Sequence, residues 1–68
     1  MERNQKMKEA RQALGLSQEE LATRAGVSRQ TVNMIERGDF NPSIALALNI
    51  CWILGKTLDD LFWREKEE

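Results

Sequence analysis

The chain has 68 residues, 41% of them hydrophobic and 31% charged, a composition typical of one globular domain. It contains no histidine and one cysteine, Cys51, which excludes an internal disulfide and argues against a metal or other cofactor. No apolar run reaches the length of a membrane span, and residues 1–12 do not resemble a signal peptide, so we expect a cytoplasmic protein.

The charge is distributed unevenly, although the net charge is only −1. Residues 1–37 hold seven Lys and Arg against five Glu, whereas residues 38–68 hold three against six acidic residues. A mildly basic first half would suit a nucleic-acid partner. So small an imbalance also fits an ordinary solvated surface, and both interpretations stay open.

Capping residues and glycines divide the chain into helical segments. Leu14 and Gly15 close the first segment, Ser17 and Glu20 form a capping-box pattern, and Ser28 can cap a third helix. The sequence therefore predicts an all-α protein of one domain over 1–68, with helices over about 4–14, 18–25, 29–37, 44–54 and 58–63 and a frayed tail over 64–68.

Apolar spacing predicts which face of each helix is buried. Cys51 falls on such a face and is interpreted as a small buried apolar residue rather than a redox switch. The predicted core consists of Met7, Ala10, Leu14, Leu21, Ala25, Val27, Val32, Ile35, Ile44, Ala47, Leu48, Cys51, Leu54, Leu58, Leu61 and Phe62.

The segment between the second and third helices, residues 25–28, has the length of the turn in a DNA-binding helix-turn-helix and contains a glycine. In that motif the second helix enters the major groove with its N-terminal residues at the base edges. The third helix offers Arg29, Gln30, Thr31 and Asn33, which can pair with guanine or adenine or touch a thymine methyl.

Candidate phosphate contacts flank these base-reading residues. Ser17 and Gln18 lie at the start of the second helix, where free N–H groups attract anions, and Arg37 and Asn41 flank the far end of the third. Two capped helices with a tight turn also occur in bundles that bind no DNA. The residue chemistry by itself leaves a DNA reader and a purely structural bundle as alternatives.

Four blocks resemble a known family in order and spacing: LSQEELA at 16–22, AGVSRQTV at 25–32, IERG at 35–38 and NPS at 41–43. They are similar to helix-turn-helix proteins of the phage repressor and Cro type, also called the xenobiotic-response-element type, over roughly residues 7–62. The resemblance implies a compact five-helix bundle of the lambda-repressor-like kind and a short transcriptional regulator, most simply a repressor.

The resemblance also assigns roles to individual residues. Gln18 matches a residue that binds a backbone phosphate and braces the recognition helix, and Arg11 and Glu36 match an ion pair between the first and third helices. Arg29 and Gln30 match the principal base readers. Secondary contacts to bases or phosphates are implied for Ser28, Thr31 and Asn33, and phosphate contacts for Arg37 and Asn41.

Two positions depart from the family pattern. Met34 stands where relatives often have a polar residue. Asp39 is an acid where lysine is common, and it should weaken the affinity for phosphate.

Members of this family bind inverted repeats as two-fold dimers with half-sites about 34 Å apart. The expected partners are therefore double-stranded DNA and a second copy of the chain, with no membrane and no small-molecule ligand. Trp52 adds a large apolar side chain without an obvious core position. The predicted dimer interface comprises Leu46, Ile50, Ile53, Leu61, Phe62 and Trp63.

DNA reading has two alternatives, a protein-interaction module and an enzyme. A protein-interaction module, such as an antitoxin-like partner, would use the acidic half and the apolar face. An enzyme is not expected, because without histidine no nucleophile–base pair is evident and Cys51 lies on a core face.

Overall fold

The computed structural model describes residues 4–62, which form five α-helices and, within that range, no β-strand. The all-α prediction is confirmed. The helices are α1 Gln5–Ala13, α2 Gln18–Ala25, α3 Arg29–Arg37, α4 Ile44–Leu54 and α5 Leu58–Leu61. The bounds of α2, α3 and α4 agree with the predicted ones. Helix α5 ends at Leu61 rather than 63, and the predictions for Trp63 and the tail 64–68 fall outside the described residues.

Each helix begins at a polar side chain that accepts a main-chain N–H three residues further on. Such caps stabilise a helix by about 1 kcal/mol each because they satisfy N–H groups that have no partner inside the helix. Ser17 and Thr57 take part in complete capping boxes with Glu20 and Asp60. The caps are Asn4, Ser17, Ser28, Ser43 and Thr57.

Helix α2 lies at the centre of the packing and contacts both α3 and α4. Helix α1 packs against α3 and α5, and α5 also packs against α4. Four side chains from four different helices, Met7, Leu21, Val32 and Ile50, are fully buried where these helices meet. None of the helices among residues 4–62 is long and apolar enough to cross a membrane.

The structure corrects part of the predicted core. Leu14, Ile44 and Leu48 were expected to be buried, but they are 55%, 70% and 50% exposed. Helix α4 is apolar at nearly every position, so the spacing of its apolar residues does not select one face. Its contacts with α2 and α5 do, and they bury Ala47, Ile50, Cys51 and Leu54.

The predicted dimer interface is corrected for the same reason. Ile50 and Leu61 belong to the core of the single chain, so their side chains cannot form a surface for a second copy. Leu46, Ile53 and Phe62 are half-buried against that core and keep only part of their surface. The large apolar side chains that α4 leaves exposed are instead Ile44, Leu48 and Trp52, and Trp52 is 84% exposed.

Candidate nucleic-acid interface

The turn between α2 and α3 is held by contacts at both of its ends. Gly26 ends α2 with a φ of 77°, a left-handed conformation that glycine adopts without strain. The N–H of Val27 donates to the carbonyl of Ala22 at 3.0 Å, and Ser28 caps α3. The side chain of Asn49 in α4 donates to the carbonyl of Ala25 at 3.2 Å. These contacts fix the angle between α2 and α3 without any partner.

Helix α3 has a buried side and an exposed side. Val32, Ile35 and Glu36 face the interior, and Val32 lies against the core with no exposed surface. The N-terminal cap and the predicted base readers lie on the other side or at its edge. Ser28, Arg29, Gln30 and Arg37 are exposed, whereas Thr31, Asn33 and Met34 are half-buried.

Two of the residues predicted to make secondary contacts with DNA, Ser28 and Thr31, form hydrogen bonds with each other within the protein. The Ser28 hydroxyl accepts the main-chain N–H of Thr31 at 3.1 Å and lies 3.0 Å from the Thr31 hydroxyl. Because these two hydroxyl groups bond to each other, one N-terminal corner of α3 is ordered before any partner arrives.

A buried ion pair joins α1 to α3. Nε of Arg11 lies 2.7 Å from Oε2 of Glu36, and Nη2 of Arg11 lies 3.2 Å from Oε1. The remaining nitrogen, Nη1, donates to the carbonyl of Leu16 at 2.7 Å. The two side chains are only 8% and 4% exposed. A two-point contact of this kind fixes the orientation as well as the position of both groups.

The side chain of Gln18 connects α2 to this pair. Its Nε2 donates to Oε1 of Glu36 at 3.1 Å and to Oδ1 of Asn33 at 3.2 Å. An amide nitrogen carries two hydrogens, so both are used within the protein. Sequence reasoning assigned Gln18 to phosphate binding and bracing, and in this structure its NH2 group braces α3.

The start of α2 still offers donors to a phosphate. Within residues 4–62, the main-chain N–H groups of Gln18 and Glu19 form no hydrogen bond, and they lie at the positive end of the helix dipole. The carboxylate of Glu20 counteracts this field. Hydrogen bonds from the main-chain N–H and the hydroxyl of Ser17 hold the pKa of Glu20 below its ordinary value of 4.5.

At the other end of α3 the charges are partly balanced. Nε of Arg37 lies 3.3 Å from Oδ2 of Asp39, and both side chains are more than half exposed. Asn41 is also exposed, in the loop before α4. The sequence marked Asp39 as an unfavourable charge, but it did not reveal that this carboxylate contacts Arg37 directly.

Comparison with known proteins identifies the family of this chain. A family model described as helix-turn-helix matches residues 7–61. The chain belongs to the helix-turn-helix family of the phage repressor and Cro type, a family of DNA-binding transcriptional regulators.

Relatives from bacteria and archaea agree with this assignment. The Bacillus subtilis protein named uncharacterized HTH-type transcriptional regulator YgzD is 50% identical over 62 residues, which cover 91% of this chain and 94% of that protein. An uncharacterized HTH-type transcriptional regulator of Methanothermobacter thermautotrophicus is 47% identical over 57 residues, covering 82% of this chain and 83% of that protein.

A solved structure is similar in both sequence and fold. The restriction-modification controller protein C.AhdI from Aeromonas hydrophila superposes with a TM-score of 0.80 at 39% identity, covering 87% of this chain and 89% of the controller. The five-helix fold is therefore one that a controller protein of known structure shares.

Proposed function

We propose that this protein binds double-stranded DNA sequence-specifically, as a homodimer, and represses transcription by occupying a promoter. Helix α3 acts as the recognition helix in the major groove, and the start of α2 contacts the phosphate backbone. A regulator of this kind acts on chromosomal DNA in the cytoplasm of a prokaryotic cell, and it needs no cofactor or small-molecule ligand for the contact itself.

One observation carries the proposal. The exposed side of α3 presents Arg29 and Gln30 from a helix whose buried side is held by the Arg11–Glu36 pair and by Gln18. Base readout needs side chains whose supporting helix does not move, because each discriminating hydrogen bond depends on distance and angle. A helix that served only for solubility would not require this buried polar network.

The similarity to proteins named as transcriptional regulators and to a restriction-modification controller supports a regulatory role. A bound dimer that covers a promoter excludes polymerase, which is the simplest way for such a small protein to regulate.

Homodimerisation is supported by the surface that α4 leaves open. Ile44, Leu48 and Trp52 are spaced four residues apart, so they form one stripe along the helix, here called the α4 stripe. A groove of about 250 Å³ adjoins it at Ile44. Three large apolar residues in a row are unusual on the surface of a monomer. A second copy that covers the stripe would give a dimer with two copies of α3, the number that a site with two half-sites requires. The groove is lined by Asn41, Pro42, Ile44, Ala47, Leu58 and Phe62.

The test is selection of bound duplexes from a random pool, followed by sequencing. Wild type is compared with Arg29→Ala/Gln30→Ala and with a matched control, Gln12→Ala/Lys56→Ala, which removes one exposed cation and one exposed glutamine elsewhere. We expect wild type and the control to enrich the same inverted repeat, and the α3 variant to lose it.

An absence of enrichment by wild type at low salt would contradict DNA recognition. The α4 stripe would then favour the protein-interaction module as the function, since an exposed apolar face serves either purpose.

A further inference from the structure

The hydrogen bonds around Glu36 have only one possible direction. The guanidinium of Arg11 can only donate, and the carboxylate of Glu36 that it contacts can only accept. Any amide placed beside Glu36 must therefore turn its NH2 group, and not its oxygen, toward the carboxylate.

The amide of Gln18 has the orientation that this constraint requires, and it in turn determines the orientation of the Asn33 amide. Its Nε2 donates one hydrogen to Glu36 at 3.1 Å and the other to Oδ1 of Asn33 at 3.2 Å. Rotating the Gln18 amide by half a turn would place its oxygen against the carboxylate, where two acceptors repel. The oxygen of Asn33 is consequently held toward Gln18.

The NH2 group of Asn33 is left available. Within residues 4–62, no hydrogen bond uses it, and no buried side-chain nitrogen or oxygen lacks a partner, so this group is in contact with solvent. Asn33 lies one helical turn after Arg29 and one before Arg37, on the same side of α3 as those exposed cations.

We infer that Asn33 is a specificity-determining residue that reads a keto base, guanine or thymine, through its NH2 group. This inference rests on the proposed DNA binding and deepens it. Asparagine usually pairs with adenine by accepting from N6 and donating to N7. Here the oxygen is turned toward Gln18, so the group that Asn33 presents to the groove is its NH2 donor. In the major groove guanine presents the acceptors O6 and N7 and thymine presents the acceptor O4, whereas cytosine N4 donates and the N7 acceptor of adenine lies beside the N6 donor. A lone donor without an acceptor beside it therefore fits the keto bases best.

Two substitutions of Asn33 distinguish recognition of a keto base from a general contribution to DNA affinity. Asn33→Asp keeps an oxygen toward Gln18 and replaces the NH2 group by an acceptor of the same shape. Asn33→Ala removes both groups. Each variant and wild type is taken through selection from a random duplex pool, and circular dichroism records whether its helical fold is retained.

We expect one position in each half-site to respond. Wild type prefers a keto base there by roughly fivefold, the value of one hydrogen bond. Asn33→Asp reverses the preference toward an amino base, and Asn33→Ala abolishes it, while the positions read by Arg29 and Gln30 keep their preference. If Asn33→Asp does not fold, two results together support the inference. Wild type must select a keto base at this position, and Asn33→Ala must lose that preference.

Three results would overturn the inference while leaving DNA recognition intact. They are a wild-type preference for adenine at the responsive position, a keto preference that persists in Asn33→Asp, and a consensus that neither variant changes. Failure of wild type to enrich any sequence is a different result, because it removes the proposed function and this inference together.

Discussion

Nε of Arg11 and Oε2 of Glu36 lie 2.7 Å apart in the interior of the protein, where the two side chains are only 8% and 4% exposed. The pair ties α1 to α3, and it orients Gln18 and through it Asn33. The buried ion pair and the proposed recognition surface thus share one set of hydrogen bonds.

Removing one member of the pair is expected to cost more than removing both. Arg11→Met or Glu36→Met leaves one buried charge without its partner and should lower the free energy of unfolding by about 3–5 kcal/mol. The double variant leaves no such charge and should be more stable than either single one. Urea unfolding followed by circular dichroism measures all three.

The exposed ion pair of Arg37 and Asp39 provides the control for this comparison of single and double variants. Arg37→Ala/Asp39→Ala removes an ion pair that solvent screens, so we expect a change of less than about 1 kcal/mol. For the buried pair, the prediction is contradicted if the double variant Arg11→Met/Glu36→Met loses as much free energy of unfolding as the two single variants together. That result would show that the buried charges act independently.

Much of the fold followed from local chemistry. Ser17, Ser28 and Gly26 specify where helices begin and end through contacts within four residues, and a sequence displays such contacts directly. The Arg11–Glu36 pair joins residues 25 positions apart. It was expected only from a family resemblance, because nothing in the spacing of these residues indicates contact.

Two features lay beyond sequence reasoning for physical reasons. In α4 both Leu48 and Ile50 fit a helical stripe, and only packing against α2 and α5 decides that Ile50 is buried and Leu48 exposed. The orientation of the Asn33 amide depends on a chain of donors and acceptors from three helices, which no single segment encodes.

The α4 stripe predicts how self-association responds to substitution. Trp52→Ser should convert the proposed dimer to a monomer with little loss of monomer stability, because the Trp52 side chain is 84% exposed in the single chain. Ile50→Ala should instead lower the free energy of unfolding by about 2–4 kcal/mol, since Ile50 is fully buried.

Sedimentation equilibrium gives the mass of each variant, and urea unfolding gives its stability. A dimer that survives Trp52→Ser with an unchanged dissociation constant would rule out the α4 stripe as the interface.

Removal of the acid beside Arg37 is expected to strengthen DNA binding. Asp39→Asn releases the guanidinium from its 3.3 Å contact and removes one negative charge beside the proposed phosphate contact, Arg37. The affinity for a selected duplex should rise about threefold to tenfold at low salt, and the gain should shrink as salt increases. Fluorescence anisotropy measures the dissociation constant.

Asp59→Asn makes the same change of charge on α5 and serves as the control. Equal gains from both substitutions would attribute the effect to net charge rather than to the Arg37 contact.

The capping box of α2 predicts a contribution to stability that depends on pH. Hydrogen bonds from Ser17 lower the pKa of Glu20, so the folded state favours the ionised carboxylate. The resulting stabilisation is complete above the ordinary value of 4.5 and disappears as the pH falls through the lower pKa of the folded protein.

Glu20→Gln keeps an oxygen that can accept from Ser17 but cannot ionise. Its melting temperature should therefore fall less steeply than that of wild type between about pH 5 and pH 3. Identical slopes for wild type and Glu20→Gln would exclude this contribution.

The central claim is that α3 enters the major groove in two symmetric copies, and methylation interference on the selected duplex tests it most directly. Methyl groups on guanine N7 lie in the major groove, whereas those on adenine N3 lie in the minor groove. We predict that N7 methylation blocks binding at two guanines about one helical turn apart, related by the two-fold axis, and that this guanine contact weakens in Arg29→Ala. Interference confined to adenine N3, or from guanines on one half-site only, would contradict a dimeric major-groove reader.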